Sequence, residues 1–90
     1  MQKEKSNPFQ DTKEVTENLK ELILHNDDVN TFDFVIETLV DVCEHDPLQA
    51  EQCAMVVHFN GKCSVKSGSF NELKPRKDEM INRKLTVSIN

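Results

Sequence analysis

Apolar and polar positions along the chain fall into short stretches of distinct period, and each stretch predicts an element. Leu19 to His25 is brief, apolar and closed on both sides by Asn18 and Asn26, which predicts a strand. Beyond a turn, Phe32, Val35, Ile36, Leu39, Val42 and Cys43 recur at helical spacing while Asp33, Glu37 and Asp41 take the other face. Asn30 or Thr31 is placed to cap this helix, and Asp33 suits the positive end of its dipole. A second helix is punctuated by Asp46 as cap, Pro47 at its first position, Gln49 completing a capping box and Gly61 as a left-handed stop. Its apolar set is Leu48, Cys53, Ala54, Val56 and Val57. Lys62 to Lys66 alternates like an edge strand, and Ser67-Gly68-Ser69 interrupts it. Leu73, Met80 and Ile81 predict a third helix from about Asn71 to Arg83, with Pro75 making its first turn irregular or its start late. Lys84 to Ile89 alternates as a half-buried strand.

The order is therefore β-α-α-β-α-β, an α+β domain. Each helix has one apolar stripe, so the natural layering is a three-stranded antiparallel sheet with the helices packed on one face. Residues 1–17 are polar, contain Pro8 and an isolated Phe9, and show no sustained period; they are expected to form a flexible N-terminal arm ahead of a folded domain at 18–90.

Ninety residues and 37% apolar content allow one modest core and no second lobe around a deep cleft. No apolar run approaches the ~20 residues that cross a bilayer, and Met1-Gln2-Lys3-Glu4-Lys5 leads into polar residues, so no membrane association is expected and the setting is expected to be cytoplasmic. Three irregularly spaced cysteines, Cys43, Cys53 and Cys63, fit a reducing compartment and read as small buried hydrophobes. The formal net charge of −5 is unevenly spread: no Lys or Arg lies between Glu21 and Gly61, where Asp27, Asp28, Asp33, Glu37, Asp41, Glu44, Asp46 and Glu51 fall. Lys62, Lys66, Lys74, Arg76, Lys77, Arg83 and Lys84 follow, so the molecule is polarised, and its acidic part is no surface for nucleic acid.

Candidate chemistry concentrates in the turn Asn26-Asp27-Asp28-Val29-Asn30. Calcium is one reading, because Asn26, Asp28, Asn30 and Glu37 fall at positions 1, 3, 5 and 12 of an EF-hand frame; Thr31 stands where that frame needs glycine, and Glu37 already belongs to a helix. Zinc would need Cys43, His45, Cys53, His58 and Cys63 to assemble without any paired ligand spacing. A Cys63–His58 nucleophile pair lacks a Gly-rich loop and a third partner, so no enzyme, cofactor or metal is expected. What remains open is a site for a cationic group, or a turn rich in turn formers and nothing more. In the first case Asp27, Asp28 and the Asn26 carbonyl reverse the positive sign of a helix N-terminus, and neutral His58 adds an acceptor for a primary ammonium.

Asn26-Asp27-Asp28, Phe34-Val35-Ile36, Leu39, Ala54, Val57-His58, Gly61-Lys62 and Gly68-Ser69-Phe70 together resemble the ClpS family of bacterial protease adaptors. The resemblance implies a non-enzymatic adaptor that recognises N-degrons, proteins beginning with a bulky hydrophobic residue, and delivers them to the N-terminal domain of a Clp AAA+ unfoldase. It further implies that Asn26, Asp27 and His58 hold the α-amino group, that Asp28 and Asn30 shape the turn and meet the peptide backbone, and that Phe32, Val35, Ala54 and Val57 line the side-chain pocket. Phe32 replaces a common Met gate, Ala54 stands where a Met also occurs, and Asn30 replaces a usual Thr. Family positions that dock the ATPase fall near Leu73 and Asp78, which do not preserve them. The arm at 1–17 corresponds to the extension the family feeds into the ATPase. An alternative of the same topology resembles the C-terminal domain of the ribosomal stalk protein, docking an acidic partner through Lys74, Arg76 and Lys77 of the third helix.

Overall fold

The computed structural model describes residues 19–90; the arm expected at 1–17 lies outside the described residues. The chain runs β1 (Lys20–His25), α1 (Phe32–Cys43), α2 (Pro47–Asn60), β2 (Lys62–Gly68), α3 (Phe70–Asn82) and β3 (Thr86–Ile89). The strands form one antiparallel sheet in the order β2-β1-β3, with β1 central and β2 at an edge as its alternation predicts.

Leu22 and Leu24 of β1 anchor a core completed by Leu39, Val42, Cys43, Ala50, Val57, Val65, Leu73, Met80 and Leu85. Residues two apart on a strand share a face, so Leu22 and Leu24 point together into the helical layer. Ile23 is buried as well but faces away and stands outside that cluster. Pairing slips between Leu22, opposite Lys66, and Ile23, opposite Ser64, so Val65 is an extra residue in a bulge of β2. Its carbonyl oxygen is met at 2.6 Å by Nε2 of the buried His45, a side-chain substitute for a ladder bond.

Helix termini follow their capping chemistry, with two departures from the sequence reading, in α2 and α3. Thr31, not Asn30, caps α1, its hydroxyl accepting from the N–H of Phe34 at 3.1 Å. In α2 the Asp46 carboxylate accepts from the Gln49 N–H at 2.9 Å, but that is the Asp46 half alone, and the full capping box belongs to α3. There Ser69 and Glu72 bond reciprocally, so β2 runs on to Gly68, α3 starts at Phe70 with a regular first turn, and Pro75 lies inside the helix. Gly61 ends α2 at φ 96, where a side chain would be strained. The other left-handed stops are non-glycine, Glu44 after α1 at φ 63 and Lys84 after α3 at φ 74. The stripe read on α2 also needs correcting: Leu48 and Val56 are exposed, and the helix is buried through Ala50, Ala54 and Val57.

Candidate functional site

Main-chain pairing brings the acidic turn to the end of α2. His25 is the last residue of β1 to pair with β2, opposite Lys62. The next N–H, that of Asn26, donates to the carbonyl of Gly61 at 2.9 Å, while the Gly61 N–H donates to Val57 O at 2.9 Å. The turn is thus fastened to the helix turn that carries Val57 and His58. From its other end the chain enters α1, whose first turns supply Phe32 and Val35.

Between these elements lies an open cavity of about 420 Å³ lined by Asn26, Asp27, Asp28, Asn30, Phe32, Val35, Ala54, Val57 and His58. These are the residues singled out from the sequence, and the structure brings all of them to one place. Polar groups come from the β1–α1 turn and His58, apolar ones from facing positions of α1 and α2. Ala54 and Val57 are buried, whereas Phe32 remains 40% exposed. His58 sits in the last turn of α2 with Phe59 meeting its ring edge-on, centroids 4.9 Å apart at 79°.

Asp27 is held more tightly than turn chemistry alone foretells. Its Oδ1 accepts the N–H groups of Val29 at 2.8 Å and Asn30 at 2.9 Å, and its Oδ2 accepts the Asn30 side-chain Nδ2 at 3.0 Å. Burial works to raise its pKa, but the bonds from Asn30 and Val29 outweigh it and hold the carboxyl below its ordinary value. Asp27 is therefore a fixed anion at neutral pH. Asn30 also donates Nδ2 to the carbonyl of Lys84 at 2.9 Å, so the turn is tied to the corner between α3 and β3. Lys84 was not legible as part of the site, since a backbone carbonyl leaves no trace in residue type. Beneath the turn a small hollow of about 30 Å³ adds Leu24, His25 and Leu85 to its surroundings.

Among the described residues no three His, Cys, Asp or Glu side chains converge on a point where a metal ion would sit. Burial pushes the Cys43 and Cys53 thiols up to about 11, so neither offers a thiolate at neutral pH. The basic helix invoked for an acidic partner is largely engaged within the molecule. Lys74 pairs with Asp78 at 2.8 Å, while Arg76 donates to Val42 O at 2.7 Å and lies 3.8 Å from Glu44. Among the described residues no helix is long and apolar enough to cross a membrane.

A family model described as "ATP-dependent Clp protease adaptor protein ClpS" matches residues 16–88. The ATP-dependent Clp protease adapter protein ClpS of Campylobacter jejuni strain 81-176 is 37% identical over 57 residues, 63% of this chain and 59% of the relative. Its counterpart in Clostridium acetobutylicum is 48% identical over 40 residues, 44% of this chain and 40% of the relative. The matched segments thus span less than two thirds of these relatives. Among solved structures, Agrobacterium tumefaciens ClpS2 bound to L-phenylalaninamide superposes with a TM-score of 0.70 at 20% identity, covering 81% of this chain and 95% of that one, a likeness of fold. With the family model spanning most of the sequence, the chain belongs to the ClpS family of ATP-dependent Clp protease adaptor proteins.

Proposed function

We propose that this chain is a substrate adaptor that captures the free N-terminus of proteins whose first residue is bulky and apolar, and delivers them to a Clp AAA+ unfoldase in the cytoplasm. One observation carries this reading: an anionic, acceptor-rich turn and an apolar pocket share the walls of a single cavity. Only the first residue of a polypeptide offers an ammonium and a side chain on the same carbon. Three N–H donors want three acceptors, for which Asn26, Asp27 and neutral His58 are the nominees; charge-assisted bonds of this kind contribute about 1.5–3 kcal/mol each when sheltered from water. Phe32, Val35, Ala54 and Val57 then receive the side chain, in a cavity within the usual size range for ligand sites. Asn30 shapes the turn through its bonds with Asp27, and Asp28, nominated for the turn from the sequence, adds negative charge to it. L-phenylalaninamide, the ligand of the Agrobacterium neighbour, carries a free α-amine beside a benzyl group, the combination this cavity suits.

Fluorescence anisotropy with labelled peptides tests the proposal. A Phe-first or Leu-first peptide binds, the same peptide acetylated at its amine does not, and an Asp-first peptide does not. Equal binding of the free and acetylated forms rules the reading out. Delivery is tested separately, by asking whether a Clp unfoldase N-terminal domain retains the chain on a column.

A further inference from the structure

Asn30 differs from the other polar residues of the cavity in how its side chain is spent. Its amide nitrogen has two hydrogens, and both are used inside the protein, one on Asp27 Oδ2 at 3.0 Å and one on Lys84 O at 2.9 Å. A carboxylate and a carbonyl only accept, so the nitrogen end of the amide must face them. Lys84 is itself fixed by the end of α3: its N–H donates to Ile81 O at 2.8 Å, the following Leu85 N–H donates to Met80 O at 3.0 Å, and its own φ is 74. The carbonyl offered to Asn30 therefore belongs to a rigid helix terminus, whose Met80 and Leu85 are buried in the core.

Two tethers then locate the amine-binding turn. Asn26 fastens it to α2 through Gly61, and Asn30 fastens it to the α3–β3 corner through Lys84. The second runs through the carboxylate of Asp27, whose Oδ2 has Asn30 Nδ2 as its donor. The Val29 and Asn30 N–H groups already hold Oδ1, so what Asn30 Nδ2 adds is restraint of Oδ2 about the terminal torsion; an Oδ2 left to swing must be ordered when a ligand arrives, and that ordering subtracts from affinity. We infer that Asn30 is a positioning residue: it joins Asp27 to Lys84 so that the carboxylate is aimed before a peptide enters, and it acts on binding through Asp27 by donating to it. This inference rests on the N-terminus-binding reading of the cavity.

Its test uses the whole chain, with L-phenylalaninamide and a Phe-first peptide as ligands. N30A and N30D each weaken binding by roughly tenfold or more, the order of one lost hydrogen bond of ~1.4 kcal/mol. N30D matters because it preserves size while replacing the donor with an acceptor that also adds negative charge, so a loss of affinity for an ammonium comes neither from packing nor from a weaker field. The decisive readout is the Asp27 carboxyl carbon followed by NMR against pH without ligand, whose midpoint rises in N30A. The other titratable groups around this carboxylate are Asp28 and His58 in the cavity and His25 in the hollow beneath, all unchanged in that variant. Unaltered affinity in both Asn30 variants overturns the inference. So does lost affinity with an unmoved Asp27 midpoint, which makes Asn30 a direct peptide contact instead. Should the unaltered chain bind no free N-terminus, the functional proposal falls, and the Asp27 midpoint in N30A decides the positioning role by itself.

Discussion

At the scale of single residues, Asp27 and His58 are the nominated acceptors on opposite walls of the cavity. Asp27 has its pKa lowered, so its contribution to folding is fully present above the unfolded carboxylate value of about 3.9 and is lost only as pH falls through the lower folded value. His58, in the last turn of α2, is the nominee from the other wall of the cavity. H58A should therefore weaken binding of a Phe-first peptide by roughly tenfold, the order of one hydrogen bond to a charged group. Unchanged affinity in that variant, measured by anisotropy, removes His58 from the acceptor set. Substitution separates the two acidic neighbours. D27N should weaken binding by about 10- to 100-fold, since it deletes a charge-assisted bond and sets an amide nitrogen against Asn30 Nδ2. D28N, which removes only a nearby charge, should cost less than about threefold. Comparable losses in the two variants, measured by anisotropy, would mean that field rather than contact governs capture.

At the scale of elements, Pro75 interrupts the hydrogen-bond ladder of α3 from within. It lies in the second turn of α3, where an ordinary residue would donate its N–H to Asn71 O, and its ring crowds that carbonyl. The helix survives because Leu73 and Met80 are wholly buried and a complete capping box starts it. P75A should therefore stabilise the fold by about 1–2 kcal/mol, the restored bond being partly offset by greater freedom of the unfolded chain. Urea unfolding reads this as a higher midpoint with an unchanged slope, and a lower midpoint would show that α3 needs the proline. The same helix shows what the sequence reveals and what it hides. Ser69 and Glu72 carry their capping box in plain view, yet Pro75 argued for a later start, because a local rule cannot weigh burial elsewhere in the helix. Gly61 was legible as a stop since only glycine takes its φ freely. Glu44 and Lys84 adopt the same region without a signature, held there by the backbone bonds of their helix ends. On α2, Leu48 and Val56 looked like core positions because composition does not reveal which face meets the sheet. The candidate site was legible as residue types in one turn and one helix; their meeting across the Asn26–Gly61 bond depends on pairing between strands distant in sequence.

At the scale of the whole molecule, folding redistributes the charge polarity of the chain. The basic C-terminal part returns over α1 and neutralises its far end: Arg83 lies 3.5 Å from Asp41, and Glu44 is approached by Lys66 at 3.4 Å and Arg76 at 3.8 Å. At the cavity the outcome differs. Among the described residues no ion pair reaches its two acids, Asp27 and Asp28. Cationic side chains thus pair with acid where α1 ends, while Asp27 and Asp28 ahead of α1 keep unpaired negative charge on the cavity wall. Such a field acts at distances approaching the Debye length, ~10 Å at 0.1 M salt, and so governs encounter more than the final contacts. Stopped-flow binding of a Phe-first peptide with lysines downstream should show an association rate that falls several-fold between about 0.02 and 0.5 M salt, with dissociation changing much less. The same peptide carrying glutamates in their place should associate more slowly at low salt and approach its partner's rate as salt rises. If instead both peptides associate alike at every salt concentration, the bare acids ahead of α1 serve the local geometry of the turn alone, and capture proceeds by unassisted diffusion.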